Sequence, residues 1–171
     1  MHKIGILSPG KMGTTLVLSL LNPNQLFCVL DGRSQKTVDN AKKYNIKNSR
    51  TLNQIFSVCD FVFCIGSGGV AMETAKSAVA NNYQGIYVDF NTLFGEQSEK
   101  ELYSLTKSLN FVDAILYGWP LEDTGDQESA KRKMVLSGDC SQKVFDLFNP
   151  AIWEMSYVHD SSKRYRRVNL F

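Results

Sequence analysis

Three residues among the first thirteen have the types and spacing to hold a phosphate chain. Residues 3–13 read Lys-Ile-Gly-Ile-Leu-Ser-Pro-Gly-Lys-Met-Gly, an apolar run passing straight into a glycine turn and then into a further apolar stretch. The turn that cradles a dinucleotide pyrophosphate has the form G-x-G-x-x-G between a strand and a helix. Ser8, Gly10 and Gly13 occupy its three glycine positions, so the first glycine is replaced. At the second position the missing side chain lets the backbone approach the phosphates, and at the third it lets the helix pack closely on the strand. The Ser8 hydroxyl can donate to a phosphate or to a bound water. Lys11 and Met12 fill the span between the last two glycines, at the amino end of the helix, where unpaired N–H groups attract an anion.

A second cluster follows at the distance such a turn requires. Asp31 closes the next apolar run, 18 positions beyond Gly13, near the offset of about 20 at which an acidic side chain meets the adenosine ribose. Arg33 and Ser34 come next, and they are the groups expected to clasp a 2′-phosphate. The two signals oppose each other. A carboxylate on the ribose diol favours NAD. An arginine making charge-assisted bonds of about 1.5–3 kcal/mol favours NADP by roughly ten- to a hundredfold. The balance leans towards NADP if Asp31 turns away or pairs with Arg33.

The elements that must position these residues are legible as alternating short apolar runs and helical stretches. Strands are expected over residues 3–7, 26–30, 61–65, 86–90 and 111–116, with shorter ones over 134–136 and 156–158. Helices are expected over residues 11–21, 34–44, 52–58, 70–81, 96–109 and 141–148, with Ser34 and Thr51 as amino caps. Asn22-Pro23 ends the first helix, because proline cannot continue the hydrogen-bond ladder. Gly66-Ser67-Gly68-Gly69 is a turn after the 61–65 strand. Strands that are apolar throughout are buried on both faces, and repeated strand-helix-strand units demand right-handed parallel crossovers. The expectation is one α/β domain with a doubly wound, mainly parallel sheet and helices on both faces. It spans residues 1–159, followed by a basic tail over 160–171.

Composition narrows the function classes. A chain of 171 residues buries roughly 70% of its unfolded surface, enough for one core. Its 43% hydrophobic and 21% charged residues are those of an ordinary globular protein, and no apolar run reaches the roughly 18 residues of a membrane span. The start has no charged leader, apolar signal core or cleavage site, so a cytoplasmic location is expected. Cys28, Cys59, Cys64 and Cys140 form no C-x-x-C pair and read as reduced thiols, and with only His2 and His159 no metal site is expected. Net charge is +2, yet Lys163, Arg164, Arg166 and Arg167 crowd the last nine residues. Without a stacking platform or second basic stripe they read as a solvated tail, not a nucleic-acid arm. The charged stretch over residues 122–133 reads as a long wet loop.

Together, Lys11-Met12-Gly13, Arg33-Ser34, Val88-Asp89-Phe90-Asn91-Thr92 and Phe111-Val112-Asp113-Ala114 resemble the NAD(P)-binding domain of the β-hydroxyacid dehydrogenases. This is the superfamily of 6-phosphogluconate and 3-hydroxyisobutyrate dehydrogenases. Ser-Pro-Gly-Lys-Met-Gly and Asp-Gly-Arg-Ser look closest to a phosphogluconate-dehydrogenase-like branch. The resemblance covers about residues 3–159 and implies a Rossmann-type fold. It implies that Gly10, Met12 and Gly13 bind pyrophosphate, that Arg33 and Ser34 bind the adenosine end, and that Ile65, Gly66 and Ser67 lie beside the nicotinamide ribose. Asn91 and Thr92 fall where the family has polar groups near the nicotinamide and substrate.

The family's substrate signature Asp-Ala-Pro-Val-Ser-Gly-Gly becomes Asp113-Ala114-Ile115-Leu116-Tyr117-Gly118-Trp119, in which Asp113, Ala114 and Gly118 match. Asp113, Tyr117 and Gly118 are the substrate candidates, and Trp119-Pro120 is bulky where the family is small. Family members continue into an all-helical domain that supplies a catalytic lysine. Lys163 does not reproduce that helix, and no residue is assigned as catalytic. Three readings follow. The chain transfers hydride between NAD(P) and a small hydroxy or keto acid, or an imine, once a partner or dimer mate completes it; or it is a non-catalytic dinucleotide sensor or scaffold; or its altered turn takes no dinucleotide. A homo-oligomer is expected, because the edge that would dock on the second domain otherwise exposes apolar surface.

Overall fold

A computed structural model describes residues 1–22, 24–66, 68–92, 95–121 and 132–158. Short runs without a polar break form the centre of the sheet, as burial on both faces requires. These central strands are β1 (Lys3–Ile6), β4 (Phe61–Cys64) and β5 (Ile86–Asp89). They are flanked by β2 (Gln25–Cys28) and β3 (Lys47–Asn48) on one side, and by β6 (Asn110–Tyr117), β7 (Arg132–Ser137) and β8 (Trp153–Val158) on the other. The order is β3-β2-β1-β4-β5-β6-β7-β8. All neighbours pair in parallel except β6 and β7, which are antiparallel. The doubly wound, mainly parallel α/β sheet expected from the sequence is the observed fold.

Among the described residues six α-helices wrap it: α1 (Lys11–Leu18), α2 (Gln35–Lys43), α3 (Leu52–Val58), α4 (Gly68–Ala80), α5 (Glu96–Leu105) and α6 (Ser141–Phe145). Strand alternation divides the core into two layers. Ile4, Ile6, Phe63, Val88 and Val112 pack with Leu16 of α1, Ala41 of α2 and Val144 of α6. Val62, Cys64 and Tyr87 face the other way, onto Ile55 of α3, Ala71 and Ala75 of α4 and Leu102 of α5. Each large side chain so buried contributes about 1.5–3 kcal/mol relative to exposure.

Several boundaries differ from the sequence expectation for local reasons. The first helix stops at Leu18, not at residue 21. The buried Ser19 hydroxyl donates back to Thr15 O and Leu16 O, competing with the ladder, and Leu20 bridges to Phe148. The turn expected over residues 66–69 is shorter, because α4 begins at Gly68. Its buried Ala71, Ala75 and Ala78 seam outweighs the roughly 1 kcal/mol that each glycine costs a helix. The 96–109 helix changes to a 3₁₀ turn over Thr106–Ser108, and α6 ends at Phe145 instead of 148. Strand β3 was not expected, since both of its residues are exposed and polar. The basic tail, most of the 122–133 loop, and Pro23 lie outside the described residues.

Candidate functional site

The carboxyl ends of β1, β4, β5 and β6 all open on the same edge of the sheet. Strand order reverses between β1 and β4, and the crevice beyond such a reversal is where open α/β sheets hold ligands. A cavity of about 570 Å³ lies there. Ser8, Gly10, Met12 and Gly13 border it from the β1–α1 turn, and Ile65 and Gly66 from the end of β4. Phe90 and Thr92 approach from β5, Leu116 and Gly118 from β6.

Two glycines of the turn do different work. A Cβ on Gly13 would lie 2.2 Å from the Ser8 carbonyl oxygen, so no side chain fits between α1 and the end of β1. A Cβ on Gly10 would meet nothing within 4 Å. Open space at the second glycine and close packing at the third match the division of labour in a pyrophosphate turn. The turn is closed by Gly10 N–H donating to Ser8 O at 2.8 Å. Gly10 is the amino cap of α1, which has no side-chain cap bond and no acidic residue in its first turn, and this suits an anion at that end.

Asn40 anchors the turn from behind. Its buried amide donates to Pro9 O at 3.0 Å, tying α2 to the turn. Asn40 and the neighbouring Ala41 are the buried residues of α2.

At the end of β2, Asp31, Arg33 and Ser34 are exposed. The Arg33 guanidinium reaches across and donates from Nη2 to Leu7 O at 3.1 Å, one residue before the turn. It forms no ion pair with Asp31 among the described residues. A neutral carbonyl therefore orients the guanidinium and leaves its charge uncompensated by that carboxylate. The Ser34 hydroxyl accepts from Thr37 N–H at 3.4 Å as the cap of α2.

Beneath the β4–β5 side of the crevice lies a buried polar network. Asn91, only 4% exposed, accepts from Gly66 N–H at Oδ1 (2.5 Å) and donates from Nδ2 to Cys64 O (3.2 Å) and to Asp89 Oδ1. Its amide is spent inside the protein, so Asn91 holds the β4–α4 turn and Thr92 borders the cavity. Asp89 is buried, its Oδ2 has no partner, and burial pushes its carboxyl up to about 7; the Asn91 bonds oppose that rise and the nearby Asp113 charge adds to it. Burial likewise pushes the Cys64 thiol up to about 11. It stays a neutral thiol beside Asp89.

The substrate candidates separate. Gly118 and Leu116 border the cavity, whereas Asp113 and Tyr117 do not. Alternation along β6 sends them to the opposite face, where Tyr103 of α5 donates to Asp113 Oδ2. Ile65 and Gly66 border the cavity; Ser67 lies outside the described residues.

These features define a Rossmann-type fold with its crevice at the switch point. No family model and no curated protein matches the sequence. Solved structures do match the fold. A conserved protein of unknown function, reported as structurally similar to 3-hydroxyacid dehydrogenases, superposes with a TM-score of 0.71 at 21% identity, over 92% of this chain and 57% of that one. Mycobacterium tuberculosis 3-hydroxyisobutyrate dehydrogenase with L-serine gives 0.67 at 16% identity, over 93% and 55%. A Myxococcus stipitatus imine reductase variant with NAD+ gives 0.68 at 11%, over 94% and 56%. The chain thus spans a little over half the length of these proteins. No helix among the described residues is long and apolar enough to cross a membrane.

Proposed function

We propose that this chain binds a nicotinamide dinucleotide in the switch-point crevice and serves as the cofactor half of a dehydrogenase or reductase. The observation that carries the reading is the pair of glycines, with Gly13 packed against Ser8 O and Gly10 facing open space. The imine reductase with the same fold was crystallised with NAD+, which supports the cofactor class. Gly10, Met12 and Gly13 receive the pyrophosphate with Ser8 and Lys11 beside it, and Ile65, Gly66 and Thr92 border the nicotinamide. The orientation of Arg33, free of Asp31, favours a 2′-phosphate and hence NADP, with Ser34 beside it.

When bound, the reduced cofactor supplies a hydride to a carbonyl or imine carbon. The C=O or C=N π pair then takes a proton at oxygen or nitrogen. That proton needs a donor within about 2.6–3.2 Å, and no acidic or basic side chain borders the cavity among the described residues. A partner or a second copy of the chain provides the opposite wall and the donor. Small hydroxy or keto acids and imines are the substrate classes.

Titration with NADPH and with NADH, followed by nicotinamide fluorescence, tests the reading. Saturable binding below millimolar concentration is expected. Arg33→Ala weakens NADPH by about tenfold or more and leaves NADH unchanged. Failure of both cofactors to bind overturns the proposal; equal loss of both in Arg33→Ala overturns only the NADP preference.

A further inference from the structure

Asn91 stands between two residues that border the crevice and bonds to a third. Phe90 and Thr92, its neighbours in the chain, both line the cavity, as does Gly66, whose N–H donates to Asn91 Oδ1 at 2.5 Å. Close packing does not fix Gly66, because a Cβ there would make only ordinary contact with Val70, at 3.6 Å. The bond to Asn91 is what ties it. The other end of the amide is engaged below: Nδ2 donates to Cys64 O at 3.2 Å, to Cys64 Sγ at 3.3 Å and to Asp89 Oδ1. An amide has one accepting and one donating end, so the acceptors on Cys64 and Asp89 keep Oδ1 turned towards Gly66. Asp89, Asn91 and Gly66 thus form one chain of bonds running from a buried carboxyl to the cavity edge.

Asp89 is the member of that chain whose charge can change. Its Oδ2 is buried without a partner. Facing it are Cys64 of β4 and Asp113 of β6, each opposite it in register, and Tyr87 on β5 itself. Thr74 of α4 lies beside the Cys64 thiol, and one bond further Tyr103 of α5 donates to Asp113. None of these is a cation. With the carboxyl raised by burial to about 7, both of its states are populated near neutral pH. A neutral carboxyl is a modest acceptor, whereas an ionised one draws Nδ2 into a charge-assisted bond roughly twice as strong. That pull is away from Gly66. It also puts an unpaired negative charge beneath a crevice that, on the cofactor reading, takes a pyrophosphate, and like charges in a poorly hydrated setting repel strongly.

Resting on the cofactor reading above, we propose that Asn91 is a positioning residue for the dinucleotide and that the proton on Asp89 sets its hold on Gly66, so that the crevice binds the anionic cofactor more tightly when Asp89 is neutral. By reciprocity, cofactor binding strengthens the hold of Asp89 on its proton.

The test compares calorimetric NADPH affinities of the wild type and Asp89→Asn at pH 6 and pH 8.5. The 2′-phosphate of the cofactor itself titrates in this range, and the ratio of the two proteins removes that contribution. Wild-type affinity relative to Asp89→Asn falls about fivefold or more from the lower pH to the higher, an ordinary coupling between two sites. In the ¹⁵N-labelled free protein the Gly66 amide resonance moves with pH through the Asp89 titration, and in Asp89→Asn it stays in place. A folded Asn91→Ala protein, measured against the same reference, loses most of the pH dependence. Absence of NADPH binding at both pH values overturns the cofactor reading and this proposal with it. NADPH binding with a ratio that does not change with pH overturns this proposal alone, as does full pH dependence in Asn91→Ala. Where Asn91→Ala does not fold, the wild-type amide decides: a Gly66 resonance unmoved across the Asp89 titration overturns the proposal, and one that follows it supports it.

Discussion

The two ends of the parallel sheet carry cavities of similar size and opposite chemistry. At the carboxyl edge, about 570 Å³ is bordered by glycine backbone and the uncapped start of α1. At the amino edge, about 470 Å³ is bordered by His2, Phe61, Lys143 and Asp146. The lower cavity has the charges, yet the backbone around it is tied to itself. Gln25 N–H donates to His2 O, Leu21 N–H to Leu147 O, and Asn149 N–H to Ser19 O, at 2.8–2.9 Å. The upper rim has few charges but is shaped by groups that make space. Volume does not single out the site; what the backbone at the rim leaves available does.

The largest effect that would sharpen the contrast concerns Asp89, beneath the upper rim. Its carboxyl is raised in the folded protein from 3.8 to about 7. The native state therefore binds the extra proton between these values, and stability falls as pH rises through that window. At 1.36 kcal/mol per unit the loss is on the order of 4 kcal/mol. Asp89→Asn removes the titration and flattens the profile. Urea midpoints at pH 5 and pH 8 check this: the wild type drops, the variant holds, and equal drops refute the assignment.

Next comes Gly13→Ala. With its Cβ 2.2 Å from Ser8 O, overpacking costs about 1–3 kcal/mol and displaces α1 from the turn. A melting temperature lowered together with NADPH affinity is expected; an unchanged melting temperature contradicts the close-packing account. The smallest effect belongs to the lower cavity. Lys143→Ala shifts stability by no more than about 0.5 kcal/mol and leaves NADPH affinity unchanged in the same titration. A tenfold loss would move the site to the other end of the sheet.

Much of the upper rim was readable in the chain. The β1–α1 turn announces itself because its shape is written in consecutive residues, Ser8 to Gly13, and apolar runs such as residues 61–65 mark strands by composition alone. What sequence reasoning missed depends on partners distant in the chain. Asn40 reaches Pro9 across 31 positions and Asn91 reaches Gly66 across 25, and no local pattern reports such a bond. Asn91 therefore looked like a ligand contact when its amide is used internally. The facing of Asp113 and Tyr117 was within reach, since alternation from Leu116 and Gly118 puts them on the other side of β6. Strand β3 was not, because two exposed polar residues carry no burial signal.

The claim that the upper crevice holds the dinucleotide is tested most directly by Gly10→Val. A side chain there meets no protein atom within 4 Å at its Cβ and φ is −76, so the melting temperature stays near that of the wild type. On the proposed reading the branched side chain fills the space that pyrophosphate takes, and calorimetric titration with NADPH shows affinity reduced at least tenfold. Full NADPH affinity in a folded Gly10→Val protein contradicts the account.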